Sequence, residues 1–152
     1  MNNDNLPLLE KLIADFPQRA SKAPCYEEVY AILASDAPHG EKAASCAKLV
    51  HKNAVSKVRG TCVGVAVLVA LGMFLPMLLG ESAGAEFYMT NGIIFAFYAI
   101  FAGVAGQGPK FSAIAGFILA IVVFASNLAL TGTAAGIVPV VLMFSALRSL
   151  PK

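Results

Sequence analysis

The chain has 152 residues, too few for two independent globular domains of ordinary size. Apolar residues make up 58% of it and charged residues only 13%, about half the charge expected of a soluble domain. The formal net charge is +2, and no block of like charge indicates a nucleic-acid partner. The composition therefore excludes an ordinary soluble domain and favours a membrane protein.

Charge is concentrated in the first part of the chain. Residues 1–59 contain eight of the eleven basic residues and seven of the nine acidic residues. The remainder, residues 60–152, contains only five charged residues: Glu81, Glu86, Lys110, Arg148 and Lys152. This change in composition predicts a polar region followed by a membrane domain.

The polar region, residues 1–59, is expected to form a small cytosolic helical region. Its apolar residues recur at spacings of three and four, which is typical of one face of a helix. Pro17 marks one helix end, and no breaker occurs between Glu41 and Arg59 or before the apolar segment that follows. The last of these helices is therefore expected to run into the first membrane span. The predicted helices cover residues 6–16, 24–35 and 37–59.

The apolar segment at residues 61–79 has nineteen residues and no charge. At about 1.5 Å per residue it crosses a hydrocarbon core of about 30 Å, and in lipid its backbone must form a helix to satisfy its own hydrogen bonds. Short turns separate the apolar segments that follow, which favours antiparallel neighbours. The predicted spans cover residues 60–79, 87–107, 111–130 and 134–150. The sequence thus predicts an all-α membrane protein whose transmembrane domain, residues 60–152, is an up-down four-helix bundle.

The positions of the basic residues predict the orientation of these spans. With four spans, all eleven basic residues lie on the side of the N-terminus, while Glu81 and Glu86 lie on the other side. Basic residues accumulate on the cytoplasmic side of membrane proteins. We therefore expect a multi-pass protein of the inner (plasma) membrane with both termini in the cytoplasm.

A juxtamembrane basic cluster directly precedes the first span and consists of Lys48, Lys52, Lys57 and Arg59, with His51 among them. One interpretation is contact with anionic lipid, worth about 1 kcal/mol per basic residue near the membrane surface. The other is an ordinary topology signal, which needs no bound lipid. The sequence favours the second interpretation without excluding the first.

Small residues form a continuous face on the second span, because they recur at spacings of three and four. This small-residue face consists of Gly92, Ala96, Ala99, Gly103 and Gly106. Small side chains let helix backbones approach closely, and such contact replaces the hydrophobic driving force that lipid does not supply. The face is expected either to pack within the bundle or to dock onto the helices of a partner.

Groups that could carry chemistry are absent from the predicted spans. No Asp, Glu, Lys, Arg or His lies in the middle of a span, which disfavours a proton relay or ion-coupled transport. His39 and His51 precede the spans, so axial histidine ligation of haem within the bilayer is not available. The spacing of Cys25, His39, Cys46 and His51 matches no zinc pattern. We therefore predict no catalytic residue, no cofactor and no metal site.

The functional hypothesis is a non-catalytic membrane protein that acts as an accessory, assembly or regulatory subunit of a larger complex. Its expected partners are the lipid bilayer and other membrane-protein subunits or copies of itself, but no nucleic acid. The alternative is a small homo-oligomeric channel or transporter with a polar lining. That lining would come from Thr90, Asn91, Tyr98, Ser112, Ser126 and Asn127.

Overall fold

The structure, a computed structural model, describes residues 28, 31–32, 34–80, 83–132, 134 and 136–150. This part of the chain is helical and contains no strand. The predicted helix at residues 6–16, and most of the one at 24–35, lie outside the described residues. The chain divides into two compact units, one of residues 1–56 with 149–152 and one of residues 57–148. We call the second the bundle unit.

The first described helix, α1 (His39–Leu78), has 40 residues and continues through the position where the first span was predicted to begin. Its length of about 60 Å is twice the thickness of a hydrocarbon core. Glu41 lies in its first turn, where a carboxylate interacts favourably with the helix dipole. It ends just before Gly80, which takes φ +71° and donates its N–H to the Met77 carbonyl at 3.3 Å.

The next two helices, α2 (Ala85–Val104) and α3 (Pro109–Thr131), are joined by a tight turn. Two successive amides, those of Gln107 and Gly108, donate to the Val104 carbonyl at 2.9 and 3.2 Å. Pro109 then occupies the first position of α3, where its fixed φ favours a helix and no N–H is needed. A helix hairpin follows directly from this turn.

The last helix, α4 (Ile137–Arg148), is shorter than the predicted span at 134–150 and has only 12 residues. Pro139 lies in its first turn, where the missing N–H costs no intrahelical bond. Gly136 precedes it with φ +94°, and a Cβ at Gly136 would lie 3.5 Å from the Cα of Phe124. The helix is about 18 Å long. By length and composition α1, α2 and α3 can cross a membrane, whereas α4 falls short.

The packed core of the bundle unit lies at one end of its helices. No described residue between 67 and 97, or between 121 and 142, is buried. The buried residues of the bundle unit fall within 58–66 of α1, 98–105 of α2 and its C-cap, 112–120 of α3, and 143–146 of α4. The core thus surrounds the α2–α3 turn.

The other end of the bundle unit exposes large apolar side chains. Leu78 keeps 81% of its surface exposed and Leu130 keeps 85%. Soluble monomers rarely expose contiguous apolar patches of more than a few hundred Å². Such an exterior is typical of a protein surrounded by lipid or by other helices.

Contacts between α3 and α4 are the most extensive in the bundle unit, and those between α2 and α3 come next. The rings of Phe117 in α3 and Phe144 in α4 pack with their centroids 5.8 Å apart. This contact fixes the register of the two helices, with the C-terminus of α4 near the N-terminus of α3.

The other unit is described from residue 28 onward and contains the first half of α1. The Ser35 hydroxyl donates to the Ile32 carbonyl at 2.7 Å in the turn that precedes α1. Cys46 and Ala54 are buried on α1, and Lys42 is 8% exposed. Burial in apolar surroundings raises the pKa of a thiol, so buried cysteines of this kind are unreactive.

Candidate functional site

A buried hydrogen bond lies within the packed core of the bundle unit. The Tyr98 hydroxyl donates to the Gly116 carbonyl at 3.0 Å, and it connects α2 to α3. Tyr98 is 1% exposed, so its phenol is removed from water and lipid alike. A buried hydroxyl without a partner is costly, and this bond satisfies it. The bond therefore serves the packing of the two helices.

Met143 of α4 packs directly against this bond. A Cβ built on Gly116 would lie 2.5 Å from the Met143 Cε and 3.5 Å from the Tyr98 Cε1. Only a residue without a side chain leaves Met143 room in its present position. Gly116 is therefore the point at which α2, α3 and α4 meet.

Two further side chains with reactive heteroatoms lie within the same core. Ser112, one turn before Gly116, is fully buried, and its Oγ has no hydrogen-bond partner among the residues that the structure describes. Cys62 of α1 is also fully buried and is a free thiol. Within the described ranges, no group of three His, Cys, Asp or Glu residues is placed to hold a metal ion.

Arg59 of α1 reaches the C-terminal end of α2. Its Nε donates to the Ala102 carbonyl at 3.2 Å, and its Nη2 lies 3.3 Å from the position of a Cβ on Gly106. Carbonyls in the last turn of a helix lack intrahelical partners, and this end of the helix dipole favours a cation. The guanidinium therefore caps α2, and the small size of Gly106 lets it approach.

The other members of the juxtamembrane basic cluster are placed differently. Lys48, Lys52 and Lys57 are exposed. Lys57 lies two residues before Arg59, so the two do not face the same side of α1. Only Arg59 of the cluster is tied to another helix by a hydrogen bond among the described residues. The contact with α2 was not predicted from the sequence.

Most of the small-residue face points away from the packed core, whereas Gly106, its last member, follows the end of α2 and lies beside Arg59. Gly92 is half-buried and its other four members are exposed, while a Cβ at Gly92 or Gly103 would meet nothing within 4 Å. Within the bundle unit, α2 packs instead through Tyr98, Ala102 and, just beyond its end, Ala105. The two predicted uses of the small-residue face stay predictions.

The residues proposed to line a channel do not converge in the structure. Tyr98 and Ser112 lie in the core, while Thr90 and Ser126 are exposed. The Asn91 Nδ2 donates to the Phe87 carbonyl of its own helix at 2.9 Å. Within a single chain these residues therefore do not line one common channel.

The chain matches no protein-family model, no curated protein and no solved structure. The fold alone therefore defines its class. It is an all-helical protein, in its described part, with three helices long and apolar enough to cross a membrane.

Proposed function

We propose that the protein is a non-catalytic protein of the inner (plasma) membrane that acts as an accessory, assembly or regulatory subunit of a larger membrane complex. The observation that carries the proposal is the small-residue face, which is turned outward from the core of its own bundle. Small residues favour close contact between helices in lipid, whereas lipid chains need no such face. A helix of another subunit is the occupant that this surface suits.

The uneven packing of the bundle unit supports the same proposal. In the bundle unit, no described residue of α1 after Ala66, of α2 before Tyr98 or of α3 after Ala120 is buried. Helices that lack packing partners at one end offer surface to the helices of a second protein. The packed end, in contrast, is held together within the chain, for example by the hydrogen bond from the Tyr98 hydroxyl to the Gly116 carbonyl.

We also propose that the chain crosses the membrane four times, with both termini in the cytoplasm. The antiparallel register of α3 and α4 supports this, because it brings Arg148 to the end of the bundle where Lys110 lies. Because α4 is too short to cross the membrane alone, the residues on either side of it would have to lie in the membrane too, over the predicted span 134–150. Reporter fusions test the topology: we expect a cytosolic signal at Lys110 and at the C-terminus. A cytosolic signal at Gly84 would contradict four spans.

The subunit proposal is tested with a photo-crosslinking residue placed on α2. At Gly103, on the small-residue face, we expect crosslinks in intact membranes to one defined membrane protein that also co-purifies in mild detergent. The control position is Phe97, which is 45% exposed on another side of the same helix. A single-chain particle in mild detergent, together with equal crosslinking at Gly103 and Phe97, would refute the proposal.

A homo-oligomeric channel or transporter remains the alternative proposal. A ring of copies would have to build its lining from exposed residues, such as Thr90 and Ser126, because Tyr98 and Ser112 are buried. Crosslinks at Gly103 that join copies of this chain, together with ion flux in proteoliposomes, would favour it over a hetero-complex.

A further inference from the structure

Four basic residues of the bundle unit lie at one end of it. Arg59 is level with the end of α2, because it bonds to Ala102. Lys110 is in the first turn of α3, and Arg148 is the last residue of α4. Phe117 of α3 contacts Phe144 of α4. From this contact toward the same end of the bundle unit, Lys110 lies about 10 Å along α3 and Arg148 about 6 Å along α4. Lys57 lies two residues before Arg59, at about the same level but on another side of α1, and we call the four residues the interfacial cations.

These cations have no acidic counterparts at their end of the bundle unit. The acidic residues between 57 and 148 are Glu81 and Glu86. Glu86 lies in the first turn of α2, about 24 Å along the helix from Ala102. No interfacial cation forms an ion pair within the described part of this unit, and all four are exposed. Their charge is therefore available to an external anion.

The interfacial cations border the apolar exterior directly. Val63 follows Arg59 by one turn and is 48% exposed, and Phe111, next to Lys110, is 65% exposed. Phe144, one turn before Arg148, is 51% exposed. Basic side chains at such a border reach the level of lipid headgroups while their stems lie along apolar surface. A ligand with a phosphate joined to acyl chains fits this arrangement.

Arg59 is oriented by its contact with α2. Its Nε is held by the Ala102 carbonyl, so the guanidinium is fixed in position beside Gly106. A planar guanidinium presents further N–H donors in a fork that matches two oxygens of a phosphate. Less side-chain freedom is then lost when an anion binds.

We propose that the interfacial cations bind the phosphates of anionic glycerophospholipids, whose acyl chains lie along the exposed apolar side chains next to them. This site differs from the juxtamembrane basic cluster predicted from the sequence, since it adds Lys110 and Arg148 and excludes Lys48 and Lys52. It does not depend on a partner subunit.

The test titrates the full-length protein, in neutral detergent, with phosphatidylglycerol and with phosphatidylcholine, and counts bound lipid by native mass spectrometry. We expect preferential binding of phosphatidylglycerol. The double variant Lys110→Gln/Arg148→Gln should weaken it about thirtyfold, since each cation contributes about fivefold at about 1 kcal/mol. The control variant Lys48→Gln/Lys52→Gln removes the same charge outside the site and should bind normally. An unchanged melting temperature in phosphatidylcholine alone shows that each variant is folded.

Three results would overturn the proposal. Equal binding of the two lipids would mean that the cations serve topology alone. Equal losses in the two double variants would mean that binding follows net charge and has no site. Competition by glycerol phosphate, without acyl chains, at the same concentration as the lipid would assign the site to a soluble anion.

Discussion

Tyr98 and Gly116 join α2 to α3 through a buried hydrogen bond of 3.0 Å, at the position where Met143 of α4 also packs. The bond needs both residues for different reasons. Tyr98 supplies the donor, and Gly116 supplies a backbone that a neighbouring helix can approach closely. The contact between these two residues is therefore the part of the core that is most sensitive to small substitutions.

Removing the donor should weaken the bundle without disturbing its shape. Tyr98→Phe deletes the hydroxyl but keeps the ring, which also contacts Phe101 edge to face at 6.2 Å. We expect a loss of about 0.6 kcal/mol, with about 1.5 as the upper limit, because hydrogen bonds between membrane helices are worth about that much. Thermal unfolding in detergent measures it. Tyr88→Phe is the control, since Tyr88 makes no hydrogen bond within the described part of the chain. Equal effects of the two changes would show that the bond contributes nothing.

A methyl group at Gly116 should be tolerated only when Met143 is shortened. Gly116→Ala places a Cβ 2.5 Å from the Met143 Cε, so the flexible end of that side chain must move. We expect a destabilisation of about 1 kcal/mol, at the lower end for overpacking in a core. In the background of Met143→Ala the same change should be neutral or stabilising, because the cavity receives the new methyl group. Additive effects in this cycle would contradict the contact. Gly92→Ala, in open space, is the matched control.

Much of the fold was predictable because it depends on local signals. The absence of a breaker between Glu41 and the first span predicted that the preceding helix would continue into the span, and α1 is continuous from His39 to Leu78. The start of α4 was placed too early. Gly136 takes φ +94°, which an L-residue rarely adopts, and α4 begins directly after it. The glycine was visible in the sequence, but its backbone conformation was not.

The candidate site was less predictable because it depends on contacts between distant residues. Arg59 and Ala102 are 43 positions apart, and no local pattern relates them. Tyr98 was considered as a channel-lining residue since it is polar within an apolar span, yet its ring is buried. The three- and four-residue spacing identified the small-residue face. It could not show that α2 would use the face of Tyr98 and Ala102 for its own core.

The contact between Arg59 and α2 should contribute to stability through the guanidinium rather than through charge alone. Arg59→Gln removes the cation at the C-terminal end of α2, and we expect a loss of about 1 kcal/mol, as for a cation at a helix C-terminus. Lys57→Gln makes the same change of charge two residues away, at an exposed position. It should have little effect on thermal unfolding in a neutral detergent. Similar losses from both variants would mean that the hydrogen bond to Ala102 is not important.

A second variant tests the same contact from the side of α2. Gly106→Val fills the space next to the Arg59 Nη2, where even a Cβ would lie 3.3 Å away, and should displace the guanidinium. In that background Arg59→Gln should cost less than it does alone, since the bond has already been weakened. The unfolding free energies of the four proteins in this cycle measure the coupling. A coupling free energy of zero would mean that Gly106 does not affect the contact between Arg59 and α2.

The small-residue face should affect association but not the stability of the isolated chain. A Cβ at Gly103 would meet nothing within 4 Å, and both Gly103 and Ala99 are exposed, so Gly103→Leu and Ala99→Leu should leave thermal unfolding of the single chain nearly unchanged. Both variants stay apolar and should insert into the membrane normally. They should, however, prevent close contact with a partner helix and reduce its recovery in co-purification. The control is Ala125→Leu, which adds the same volume as Ala99→Leu at an exposed position of α3. If all three variants retain the partner equally well, the small-residue face is a lipid-facing surface; if Gly103→Leu destabilises the single chain, α2 packs through this face within its own bundle.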